Sequence, residues 1–381
     1  MSKQPKVKDL NVTVPQPRKT PLWKGPDTDG VTQSLLARFL VCRERFRLHV
    51  VEGLHPTPTF NHRIEYGSMW HVCEKFYAKY GSRGFRWTDP LREYCKGLVK
   101  KYPTQVTQIN HWMRVCLCQF PVYVDKWAPY KEDFKPVYQE YAFRVPYCLP
   151  SGRVVLMRGQ WDSVFANDKC WTLWENKTKG DVNEELIHRQ LGFDLQTMFY
   201  ATALKHHLKV KNEKGTVRKL RYNVVRRPLS GGKHSISMLQ NVNRGKKGIN
   251  GKPLPARPES EDEYYSRLHA LIREDPEWYF TRFNVDLLKN DFTVFEEQFL
   301  IPIFEQLCDW WEYITHCLVN GSNPFTVPTD GFSLHWRTPY GFYNVLAEGG
   351  ITDVDAYLTT GSESGLTRTD TLFPELEPTN A

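Results

Sequence analysis

The chain has 381 residues, with 51 Lys and Arg against 43 Asp and Glu for a net charge of +8, and it is 40% hydrophobic and 14% aromatic. That balance excludes a disordered or low-complexity chain, and the length suffices for one elaborated domain or for a catalytic domain with a helical appendage. No apolar run approaches the ~18 residues of a membrane span, and nine scattered cysteines without a C-x-x-C pair argue against a disulfide framework. The expectation is a soluble cytoplasmic protein.

In chain order, residues 1–30 are rich in Pro and Lys and read as a flexible basic segment. A first helix is expected from Thr32 to Phe46. A second, from Tyr66 to about Tyr80, carries Trp70, Cys73 and Phe76 or Tyr77 as an apolar stripe, with His71 and Glu74 on a neighbouring face. Residues 86–130 read as helical, with Trp112 and Trp127 among the apolar positions. Val154–Phe165 and Cys170–Lys177 read as two strands joined across Ala166-Asn167-Asp168-Lys169, whose Asn-Asp pair suits a short hairpin turn.

One long helix is predicted from about Glu184 to Lys205. Ile187, Leu191, Leu195 and Met198 would face the core, and Arg189, Phe193, Gln196 and Tyr200 would share another face. Tyr222 to Pro228 reads as a strand, and residues 259–321 as helical through Trp278-Tyr279-Phe280 and Trp310-Trp311. After Arg368 the tail is acidic, rich in Thr and predicted to be mobile.

Charge is unevenly spread. Lys205 to Pro258 contains 15 Lys and Arg against the single acid Glu213, so the remainder of the chain is net acidic. This stretch includes Arg226, Arg227, Lys246 and Lys247 and reads as a phosphate-binding surface with steep salt dependence. The alternative is a solvated loop.

The hairpin carries the most specific chemistry. Asp162 and Glu175 fall on adjacent strands, and the period of two turns Glu175 and Lys177 the same way. Two carboxylates, with the Asn176 backbone carbonyl between them, form a hard oxygen donor set suited to Mg²⁺ or Mn²⁺. Lys177 adds a positive charge able to serve an attacking water and a phosphorus centre. Alone, an Asp and a Glu-x-Lys on paired strands are as readily a solvated face.

The ordered neighbours raise that signal. Thr32-Gln33-Ser34-Leu35-Leu36 through Arg45-Phe46, Gly67-x-x-x-His71, Gly159-Gln160-Trp161-Asp162, Glu175-Asn176-Lys177-Thr178-Lys179-Gly180 and Gln196-x-x-x-Tyr200 appear in that order. The set resembles the PD-(D/E)xK nuclease superfamily, and within it the RecB-like exonuclease branch in its stand-alone, phage-type form. The resemblance spans roughly residues 30 to 230.

It implies an α/β fold: a restriction-endonuclease-like core with a mixed sheet flanked by helices, followed by a mostly helical C-terminal extension. It also implies His71 as a metal ligand beside Asp162, Glu175 and Asn176, and Gln196 and Tyr200 near the nucleic acid. The division expected is 1–30 flexible, 31–230 nuclease core, 231–258 basic loop, 259–345 helical extension and 346–381 acidic tail.

Many members of that branch hold an iron–sulfur cluster. Cys42 fits its first position, but no cysteine follows Cys317, although Pro339–Tyr343 resembles the family's C-terminal Tyr-Gly stretch. No such cluster is therefore expected. Nor is there a G-x(4)-G-K-[ST] motif, so a helicase, recombinase or single-strand-binding partner would be a separate chain.

The function expected is metal-dependent hydrolysis of DNA phosphodiesters, with Asp162, Glu175, Lys177 and His71 as the catalytic set, exonuclease action first, and roles in recombination or repair. An endonuclease of the same chemistry, or a non-cleaving DNA-binding or recombination-assembly protein on the same fold, are the alternatives.

Overall fold

The computed structural model describes residues 21–56, 59–80, 86–127, 135–167, 170–191, 194–228, 241–243, 247–255, 257–322, 366–369, 371–373 and 376. Strand β1 (Val31–Thr32) leads into helices α1 (Gln33–Val41) and α2 (Arg43–Phe46), a π-helical turn at Arg47–Val51 and strand β2 (Leu54–Pro56). Helices α3 (His62–Tyr80), α4 (Thr88–Lys101) and α5 (Val106–Trp127) come next, and then strands β3 (Lys135–Cys148), β4 (Val154–Ala166) and β5 (Cys170–Lys179). Helices α6 (Glu184–Leu191) and α7 (Leu195–Lys211) cross over to strand β6 (Thr216–Arg226). Beyond it lie β7 (Asn241–Val242), β8 (Arg257–Pro258), α8 (Glu261–Glu274), α9 (Pro276–Tyr279), β9 (Phe280–Asp286), α10 (Lys289–Phe295), α11 (Ile301–Val319) and β10 (Leu366–Arg368).

The expected mixed sheet with flanking helices is present. Its strand order is β1-β4-β5-β6-β9, with β3 also paired to β4. β5 and β6 run parallel, as do β1 and β4, while β3–β4, β4–β5 and β6–β9 are antiparallel. One apolar core gathers α1, α7, α11 and one face of the sheet; a second gathers α3, α4, α5 and α8 with Val225 and Phe280 from the sheet. The helical C-terminal region thus packs as part of the body: Trp310 of α11 meets Phe39 and Phe46 edge to face. No described helix is long and apolar enough to cross a membrane.

Several expectations give way. Strand β3 went unread, because Pro136 and Pro146 break a pattern whose inward positions Phe143, Val145 and Tyr147 nonetheless keep a period of two. Among the described residues it pairs only with β4, the edge position at which proline is tolerated. Residues 280–286 were read as helical from their aromatics, yet they form β9, which pairs with β6 and completes the sheet.

The single helix over 184–205 is two helices. Asp194 starts the second by accepting from the Thr197 backbone N–H at 2.9 Å. Trp23, in the segment read as flexible, is fully buried against Phe46 and Trp311. Just before the tail expected to be mobile, β10 pairs with β2, and within that tail Phe373 and Leu376 enter the core. The aromatic and aliphatic side chains in these segments bury enough surface to outweigh the polar composition around them.

The site is positioned by a gap in the sheet. β4 pairs with β5 only over Ser163–Ala166, and on the same edge it pairs with β1 at Met157 and Arg158. Residues 159–162 lie between the two ladders. Helix α7 fills the space: the Tyr200 ring lies so close to Gly159 that a Cβ there would stand 2.9 Å from it and 2.7 Å from Phe143. Gly159→Ala should therefore cost about 1–3 kcal/mol, as overpacking does in a closed core. Urea denaturation checks this; an unchanged midpoint would contradict the close approach.

Candidate active site

Asp162 sits at the end of the gap, where β4 and β5 part. Its Oδ2 accepts from the Asn176 backbone N–H at 2.7 Å, replacing the ladder bond that diverging strands cannot make. Glu175, the neighbour of Asn176 on β5, is fully buried. Its Oε2 accepts from Gln196 Nε2 at 3.1 Å and lies 3.4 Å from Lys177 Nζ, while its Oε1 is buried with no hydrogen-bond partner.

The Gln196-x-x-x-Tyr200 spacing acquires a structural meaning here. Gln196 holds Glu175 on β5, and one turn later Tyr200 reaches β4, where the Gln160 backbone hydrogen-bonds its phenol. One helix face thus spans both sides of the gap. Burial keeps the Tyr200 phenol protonated by raising its pKa, with Glu175 acting in the same direction.

Helix α3 closes the other side. Gly67 allows the approach, since a Cβ there would meet Thr178 Oγ1 at 3.3 Å, so the G-x-x-x-H and E-x-K-T motifs touch through their Gly and Thr. One turn on, His71 Nδ1 stands 3.7 Å from Asp162 Oδ1 and 3.2 Å from Glu140 Oε1. Among the described residues, His71, Glu140 and Asp162 place potential ligand atoms all within 4.8 Å of one another.

Behind them runs a buried polar chain. Tyr123 donates to Glu74 Oε1 at 2.9 Å and accepts from Asn223 Nδ2, which also donates to Asn176 Oδ1 at 2.9 Å. It fixes the Asn176 side chain beside the carboxylates, and it leaves Glu74 Oε2 buried without a partner.

The electrostatics follow from this crowding of carboxylates. Burial, reinforced by Asp162, pushes the Glu175 carboxyl up to about 8, against the pull of Lys177 and His71. Burial likewise lifts Glu74 to about 7. For His71 burial opposes charging, but Asp162, Glu140 and Glu74 together outweigh it and raise the imidazole to about 10. Lys177 is also held charged: Glu175 and Asp162 overcome its desolvation.

Buried carboxylate oxygens without partners beside a cluster of oxygen and imidazole donors are what a divalent cation would satisfy. The residues present therefore fit such an ion.

Sequence reasoning missed Glu140, which lies on the unread β3. Its Phe143-Val145-Tyr147 alternation was the available signal. The other predicted contacts divide. Arg226 turns into the protein: Nε and Nη2 donate to the Trp278 and Val182 carbonyls, Nη1 lies 3.5 Å from Asp181, and the guanidinium covers the Trp278 ring. Arg227 is mostly buried and donates to the Arg63 carbonyl at the start of α3. Lys247 is exposed, in a bridge with Pro253. The Arg189 side chain, Lys246, the stretch 229–240 and Pro339–Tyr343 lie outside the described residues; the helix break separates Arg189, on α6, from Gln196 and Tyr200 on α7.

The fork between β4 and β5 gathers Asp162, Glu175 and Lys177 into one buried cluster, with His71 of helix α3 beside Asp162. The family model of the PD-(D/E)XK nuclease superfamily matches residues 31–286, and the chain belongs to that superfamily. Membership makes it a metal-dependent nuclease acting on DNA. A comparison with curated proteins returns no match.

The shifted groups set a pH dependence. His71 and Glu175 both have raised pKa values in the folded state, so each contributes stability below its unfolded value and loses it as pH climbs toward about 10 and about 8, respectively. The metal-free protein should melt at a lower temperature at pH 8.5 than at pH 6.5, and saturating Mn²⁺ should shrink that difference by replacing the protons. A melting temperature flat or rising across the window would contradict it.

Proposed function

We propose that this chain is a DNA exonuclease of the RecB-like branch, in its stand-alone phage type, working with Mg²⁺ or Mn²⁺ in DNA recombination or repair. The observation that carries the chemistry is the fork itself. Asp162, Glu175 and Lys177 converge where β4 and β5 separate, and one buried oxygen of Glu175 has no partner. The ordered motifs from the opening helix to Gln196-x-x-x-Tyr200 support the branch and, with it, action on DNA ends.

In this reading Asp162, Glu175, the Asn176 backbone carbonyl and His71 hold the cation. The ion supplies Lewis acidity and a template for the phosphate. Lys177, kept charged by its carboxylate neighbours, orients the attacking water and balances charge growing on phosphorus. Gln196 and Tyr200 act by holding the two sides of the fork, with the exposed edge of Gln196 next to the passing strand. Lys247 and the basic stretch from 205 to 258 hold the DNA backbone. Residues 31–230 supply the catalytic core, and the region after 258 lends it β9.

Lys177→Ala and Asp162→Asn should each lower cleavage of end-labelled linear DNA by at least ~10²-fold, the scale for losing one stabilising group at a reacting centre. Chelation by EDTA should abolish it. Closed circular DNA should stay intact; nicked circles would make the enzyme an endonuclease. Salt-sensitive DNA binding without any metal-dependent product would leave a binding protein on this fold.

A further inference from the structure

Strand β3 shifts register between Pro136 and Tyr138 and is distorted again at Glu140. Glu140 has φ = +45°, the left-handed region that non-glycine residues avoid, while its neighbours stay in register, with Gln139 opposite Ser163 and Tyr141 opposite Trp161. Such a conformation persists only where the surroundings hold it. Here the carboxylate is held at both ends: Oε1 lies 3.2 Å from His71 Nδ1, and Oε2 accepts from Gln160 Nε2. The kink turns the side chain toward α3, where it is almost wholly buried.

A second observation at the same place is independent of the backbone. Glu74, one turn beyond His71 on α3, is nine-tenths buried and carries an oxygen without a partner. The charges of His71, Asp162 and Glu140 all act on it. Three carboxylates therefore surround one imidazole, and even a protonated His71 leaves an excess of negative charge under cover.

We propose that Glu140 is a direct ligand of a divalent cation, at a position it shares with His71 and Asp162. The three ligand atoms already lie within 4.8 Å of one another, and Glu175 is not part of that set. The position is thus on the α3 and β3 side of Asp162. One imidazole nitrogen with two carboxylate oxygens suits Mn²⁺ better than an all-oxygen set would. The inference rests on the reading of the fork as a metal centre and adds to it a ligand from a strand outside the D…E-x-K hairpin.

The test is Mn²⁺ binding to the full chain, measured by titration calorimetry and by the paramagnetic resonance of free Mn²⁺, for wild type, Glu140→Gln and Glu140→Cys. The amide of Glu140→Gln keeps the shape and an acceptor for His71 but loses the charge, and should weaken Mn²⁺ at least tenfold. Glu140→Cys should raise the affinity for Cd²⁺ relative to Mn²⁺ and add a thiolate-to-Cd²⁺ ultraviolet band beyond that of the nine native cysteines. Weakening in Glu140→Gln without that shift in Glu140→Cys would make Glu140 a positioning residue for His71 and overturn the proposal. Wild-type affinity in Glu140→Gln would also overturn it while leaving the metal centre standing. No Mn²⁺ binding by the wild type would overturn both.

Discussion

At Asp162 a carboxylate does the work of a strand. β4 meets β5 for four residues and β1 for two, and between those ladders its backbone has no strand partner on that edge. A buried backbone without partners is costly, so side chains must complete it. Asp162 takes the Asn176 N–H, Tyr200 takes the Gln160 backbone, and Trp161 Nε1 donates to the Tyr200 carbonyl at 3.2 Å. The requirement to close this gap fixes where α7 lies, and the approach of Gly67 to Thr178 fixes where α3 lies. The side chains of the candidate site are therefore placed by the same contacts that make the fold continuous.

That arrangement concentrates negative charge. Asp162, Glu175, Glu140 and Glu74 are all shielded from water, with Lys177 and His71 nearby as bases. Without a cation the cluster is relieved by protons, which is why the Glu175, Glu74 and His71 pKa values all move upward. A binding site of this kind opposes folding until its ligand arrives, and the two large aromatic cores on either side of the sheet offset that cost.

Much of the site could be read from spacing because its determinants are local. Asp162, Glu175 and Lys177 sit on one hairpin, whose period of two aligns them, and Gln196 and Tyr200 sit one helical turn apart. What spacing could not convey was what those side chains touch. Gln196 and Tyr200 were read as facing nucleic acid, and the structure engages both with the protein across the fork. Arg226 had the chemistry of a phosphate contact, but its donors meet main-chain carbonyls and an aspartate. Glu140 was out of reach for another reason: it comes from a proline-interrupted edge strand, and only a backbone irregularity brings it to His71. Likewise β9 pairs with β6 across more than fifty residues of chain, a non-local contact that aromatic composition does not reveal.

The central claim is that the fork between β4 and β5 is built around a divalent cation. Anomalous diffraction from crystals of the full chain soaked in Mn²⁺ tests it most directly, because it locates the ion independently of any activity. The account predicts an anomalous peak touching Asp162, with His71 on one side and the Asn176 carbonyl on the other. Crystals saturated with Mn²⁺ that show no peak at Asp162, or show the ion only at surface carboxylates elsewhere, would contradict it.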